Sequence, residues 1–145
     1  MNENKTPHKK SANQQVDYQY ARVQPQALDI ERAVLGALMI DKDAYTIISN
    51  ILKTTDFYEP RNQRVFEAIS DLYHAEDGQK PIDVLTVTDR LEKNGTLEEI
   101  GGPAYIAELS SRIASSANIE YHANIIAQKA LARELIKFGS MVVDK

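Results

Sequence analysis

Cysteine is absent from the 145 residues, which excludes disulfides and thiolate chemistry and fits a cytosolic protein. No apolar run approaches the roughly 18 to 20 residues of a membrane span, and the polar start MNENKTPHKK lacks the apolar centre of a secretory signal. The phosphate-binding pattern G-x-x-x-x-G-K-[ST] is also missing, because Gly101-Gly102 is followed by Pro103 rather than by lysine and a hydroxyl residue. His8, His74 and His122 are far apart and form no H-E-x-x-H pairing. Carboxylates are plentiful, but no pair stands out as a general acid and base. The expectation is no catalytic, cofactor-binding or metal-binding residue in this segment.

What is present fits one domain: 43% of the residues are hydrophobic and 26% charged, enough material for a core. Charge is divided unevenly. Residues 1–24 carry Lys5, Lys9, Lys10 and Arg22 against Glu3 and Asp17, net +2, leaving 13 basic and 19 acidic residues, net −6, for 25–145. An acidic body argues against a strong grip on nucleic acid phosphates. The first 24 residues, rich in Asn, Gln and Lys, read as a disordered polar tail, the alternative being a tail that touches an acidic partner.

Order is expected from Pro25. Ile30, Ala33, Val34, Ala37 and Leu38 repeat at helical spacing, with Asp29 and Glu31 where the N-terminal dipole favours acids and Gly36 in the middle. A second helix is expected over 43–52, with Ala44, Ile47, Ile48, Ile51 and Leu52 on one side. Phe57 and Tyr58 look like anchors in a connector closed by Pro60. The next helix carries Val65, Phe66, Ile69, Leu72 and Tyr73, then dissolves in a turn over 74–80. Asp83 reads as the N-cap of a helix with Val84, Val87, Thr88 and Leu91, although Val84–Thr88 would also suit a strand. Gly101-Gly102-Pro103 marks a sharp turn into a helix bearing Tyr105, Ile106, Leu109 and Ile113.

The last stretch, 119–143, is over-supplied with apolar residues. Lys129, Arg133, Lys137, Ser140 and Asp144 gather in a sector about 80° wide, while alanines and large aliphatics spread over most of the rest. A rim helix needs an apolar arc of roughly 100°. The excess implies burial on two sides, against its own domain and a second chain, or else a central place inside one domain. The three cations read as a solvated face. Either Ser116 or Asn118 caps this helix, and the short link before it favours an antiparallel hairpin over a bent rod. The chain stops at Lys145 two residues after an apolar pair, as if cut within a longer protein.

The run Pro25-Gln26, Glu31, Val34-Leu35-Gly36-Ala37-Leu38, Asp56-Phe57-Tyr58, Phe66, Pro81-Ile82-Asp83, Thr86-Val87, Leu91, Gly95, Leu97, Ile100-Gly101-Gly102, Tyr105-Ile106, Leu109 and Asn118 resembles the N-terminal domain of bacterial replicative DNA helicases of the DnaB type. The resemblance covers 25–145. Asn62 stands where relatives often have histidine, which removes a special histidine there, and Ala114 stands where they often have proline, which softens the hairpin break.

The resemblance implies an all-α fold, with a helical head over 25–101 and an antiparallel hairpin over 102–145. It also implies self-association through the hairpin, as dimers and as a trimer of dimers in a hexameric ring, with Leu131, Leu135, Phe138 and Met141 as the contact residues. Primase docking would use Asp29, Tyr105, Ile136 and Val142, each of which also has a plain structural reading. A helicase loader is a further implied partner, and DNA contact by this segment would be weak or none. ATP, Mg and ATP-dependent 5'-3' unwinding would belong to a RecA-like C-terminal domain of a cytoplasmic parent protein. The alternatives are a free-standing adaptor, or the helicase-binding domain of a primase, and a nucleic-acid module using the basic tail and stripe.

Overall fold

The computed structural model describes residues 24–112 and 116–143. The expectations for the tail up to residue 23, and for Ile113, Ala114, Ser115 and Asp144, lie outside the described residues. Six α-helices and one 3-10 turn make up the fold, and no strand occurs among the described residues: α1 (Leu28–Ile40), α2 (Ala44–Ile48), the turn Thr54–Asp56, α3 (Pro60–Tyr73), α4 (Val84–Lys93), α5 (Gly102–Ser111) and α6 (Ile119–Val143).

The central helix is α1, against which α2, α3, α5 and α6 all pack. Its run Val34 to Met39 is buried throughout, so Gly36 sits where neighbouring elements close in from several sides. The helix stops at Asp41, whose N–H reaches Ala37 O at 3.0 Å. Asp41 then accepts the Asp43 N–H at 3.0 Å and the Ser116 hydroxyl at 2.8 Å. Ser116 therefore ties the approach to α6 back onto the end of α1. The cap position falls to Asn118, whose carbonyl accepts the His122 N–H at 3.0 Å.

The second helix is shorter than the apolar spacing suggests. After Ile48 the Thr46 carbonyl receives the Ser49 hydroxyl at 3.2 Å and the Asn50 amide at 3.0 Å, side-chain donors that compete with helix propagation. Turns complete the stretch to Leu52. Phe57 is wholly buried against Phe66, with ring centroids 5.0 Å apart. Pro60 opens α3, where its missing N–H costs nothing.

At Asp83 the caps prevail over β propensity. Its carboxylate accepts the Thr86 N–H at 2.9 Å, and the Thr86 hydroxyl accepts the Asp83 N–H at 2.9 Å. This reciprocal pair satisfies two donors that a strand would leave to neighbours. Gly101 and Gly102 take φ of 102° and 73°, a left-handed turn that side chains resist.

The two helices expected to form the hairpin both rest on α1, α5 also packing on α4 and α6 also on α2 and the 3-10 turn. The core crosses the expected head boundary at 101/102: Tyr105, Ile106, Leu109, Ile119, Ala123 and Ile126 belong to the same cluster as Leu35 and Phe57. Burial persists to Ala130 and then ceases. The second half of α6, 131–143, therefore carries no fully buried residue, with Ala132 and Arg133 still partly covered by the body.

Candidate functional site

From Leu131 onward α6 turns large apolar side chains to solvent. Leu135 is 62% exposed, Phe138 66% and Val143 83%, with Leu131, Ile136, Met141 and Val142 also exposed. At 1.5 Å per residue this arm extends for roughly 20 Å. In the first half of the same helix Ile119, Ala123, Ile126 and Ala130 face the core. The two halves thus bury and expose surface by turns, which one helical face averaged over 25 residues conceals.

Arg133 lies at the base of the arm and is not solvated as the basic stripe suggests. Its Nη1 donates to Pro25 O at 2.8 Å and its Nη2 to Asp56 O at 2.7 Å. The guanidinium also lies 5.4 Å from the Tyr58 ring centroid. Lys129 and Lys137, its neighbours in the stripe, are exposed.

A second cluster joins α1, α3 and α5. Glu31, 1% exposed, accepts the Tyr58 N–H at 2.8 Å, the Glu59 N–H at 3.4 Å and the Asn62 amide at 3.1 Å. It thereby caps the N-terminus of α3 from another helix. Asn62, fully buried, accepts the hydroxyl of Tyr105. Arg61 covers the Tyr105 ring at 4.0 Å and pairs with Glu59, which Arg32 approaches at 3.6 Å. Arg32 reaches Asp29 at 3.6 Å on its other side.

Burial raises the Tyr105 phenol above the ordinary tyrosine range, with Glu59 adding and Arg61 and Arg32 opposing. Burial disfavours the Arg32 charge, yet Tyr105, Glu59 and Asp29 outweigh it and hold its pKa above the ordinary value.

Of the residues singled out for partner contact, the structure links Asp29 to Tyr105 along the chain of charges Arg32, Glu59 and Arg61 and leaves Ile136 and Val142 on the arm. Asp29 has its side chain in solvent, while Tyr105 is 4% exposed. Between α1 and α5 lies a groove of about 300 Å³ lined by Asp29, Arg32, Ala33, Glu108, Leu109 and Arg112. The four residues named for self-association, Leu131, Leu135, Phe138 and Met141, are all exposed on the arm.

Sequence reasoning missed Glu31 as a buried cap, Asn62 as the centre of a polar cluster and Arg133 as a fastening point. One signal existed for the first: the α3 N-terminus needs acceptors for its free N–H groups. Nothing local says that the acceptor lies 27 residues earlier. Among the described residues no group of three His, Asp or Glu is placed to hold a metal, and no helix is long and apolar enough to cross a membrane.

Residues 23–128 match the family model of the DnaB-like helicase N terminal domain. The replicative DNA helicase DnaB of Rhodothermus marinus is 44% identical over 127 residues, covering 88% of this chain and 13% of that protein. That of Geobacillus stearothermophilus is 38% identical over 123 residues, covering 85% of this chain and 26% of the relative. The chain thus spans about a quarter or less of the length of these relatives. A crystal structure of the N-terminal domain of DnaB helicase from Mycobacterium tuberculosis superimposes with a TM-score of 0.79 at 40% identity, over 84% of this chain and 83% of that one. With the family model matched over most of its length and the same helical fold, this chain belongs to the DnaB-like helicase N-terminal domain family.

Proposed function

We propose that this domain is the assembly and primase-docking part of a replicative hexameric helicase acting at the replication fork. The observation that carries the reading is the exposed apolar arm of α6, which continues a helix already packed on the body. An apolar surface of that extent calls for a protein partner. A second copy of the arm supplies the simplest match, giving dimers and, from three of them, the collar of a ring. Leu131, Leu135, Phe138 and Met141 form that contact.

Primase binds the assembled collar through Asp29, Ile136 and Val142, with Tyr105 acting from beneath by holding Arg61 and Asn62 in place. A helicase loader engages the same ring. ATP and Mg, strand translocation and the grip on DNA belong to the parent protein's RecA-like domain in the cytoplasm. Support comes from the family membership, the free arm and the acidic body.

The test is sedimentation velocity over a wide concentration range. The native chain should self-associate, and Leu135→Glu should shift the equilibrium to monomer with the helical circular dichroism signal retained. A native chain that stays monomeric at every concentration would refute the assembly reading.

A further inference from the structure

Of the chain's asparagines only Asn94 is followed by glycine, the neighbour that leaves its own backbone nitrogen least shielded. The pair ends α4, and the fold uses both residues there. Gly95 takes φ of 74°, the left-handed position that closes a helix and that side chains resist. Its N–H donates to Glu92 O at 3.0 Å, and the Thr96 N–H donates to Leu91 O at 3.0 Å. Both bonds satisfy carbonyls that a helix end leaves free. Asn94 is exposed, and its side-chain amide donates to Asp71 Oδ2 on α3 at 3.2 Å.

The same pair is chemically labile. When the Gly95 nitrogen gives its proton to solvent base and attacks Asn94 Cγ, an N–Cγ bond forms, the Cγ–Nδ2 bond breaks, and the side-chain nitrogen leaves as ammonia. Water then opens the cyclic imide on either side, leaving aspartate or isoaspartate at position 94. Ring closure needs Asn94 Cβ and the Gly95 nitrogen nearly eclipsed about the Cα–C bond. In the fold a ψ of −10° at Asn94 holds them more than a right angle apart. The Gly95 N–H is also committed to Glu92, and the side-chain amide to Asp71.

We infer that Asn94-Gly95 is a deamidation site gated by the end of α4: it reacts only when that cap opens, and its product keeps the cap from closing again. The product places a carboxylate opposite Asp71 and at a helix C-terminus, where negative charge is disfavoured. Isoaspartate also lengthens the backbone inside the cap. Each opening that leads to reaction is thereby recorded irreversibly.

The test incubates the full chain at mildly alkaline pH with and without urea. Cleavage after Glu92 and Glu98 releases residues 93–98, in which Asn94 is the one asparagine, and mass spectrometry gives the deamidated fraction. The folded chain should react at least about tenfold more slowly than the unfolded one, since local opening of the cap sets the ratio. Asp71→Ala should raise the folded rate, whereas Asp71→Asn, which keeps an acceptor, should leave it nearly native. Asn94→Asp, standing in for the product, should lower the urea midpoint. Equal rates with and without urea overturn the gate, and no reaction in urea overturns the site, neither needing a variant. A native rate in folded Asp71→Ala removes Asp71 from the gate, and an unchanged midpoint in Asn94→Asp overturns the irreversible consequence.

Discussion

Glu31 gives up water on folding and receives three N–H donors in exchange, two from the backbone at the start of α3 and one from Asn62. Removing the carboxylate leaves the two backbone donors without their acceptor and Asn62 with Glu59 Oε2 at 3.4 Å alone. Glu31→Ala should destabilise the domain by about 3 kcal/mol, read as a lower urea midpoint; an unchanged midpoint would show that water replaces the carboxylate freely. Tyr105 offers a pH test. A phenol whose pKa is raised in the fold contributes stability that is complete below the ordinary tyrosine value of about 10 and is lost as pH rises toward the raised value. Urea midpoints should therefore fall more steeply above that pH in the native chain than in Tyr105→Phe. Equal slopes would place the alkaline sensitivity elsewhere.

At the scale of elements, caps and competing side chains decide where helices start and stop. Asp83→Ala removes the acceptor for the Thr86 N–H and should cost about 1 kcal/mol, the usual worth of an N-cap. Thermal melts can check this, and a loss too small to measure would mean that β propensity at Val84–Thr88 was never a competitor. Helix α6 combines two environments in one element. Its alanines near the start allow close packing on α1, whereas the large side chains after Ala130 are exposed among the described residues. Periodicity along 119–143 announces a helix and an excess of apolar surface, but it does not locate the point at which the body ends.

At the scale of the described chain, an acidic body carries a helix with an exposed apolar second half, and acidity works against phosphate binding. In the proposed collar, Ile136→Ala should weaken binding of a primase helicase-binding domain, measured by calorimetry, without altering the circular dichroism of the body. Its side chain is half-exposed, so truncation opens no cavity in the core. Full affinity in the folded variant would assign Ile136 to arm pairing alone.

The sequence by itself determined that the chain is helical, because apolar spacing, Asp83, Pro60 and the paired glycines are local signals read within a few residues. The buried faces of α1 and α3 and the Phe57 anchor were legible for the same reason, as was the apolar excess of α6. Tertiary structure alone decided that α1 is the central helix, that Glu31 caps α3, that Asn62 holds Tyr105, and that Arg133 fastens the arm. Each of these depends on groups 27 to 108 residues apart meeting in space. A buried hydrogen bond needs a partner of the right chemistry, but sequence spacing does not say which distant residue folding will bring to it.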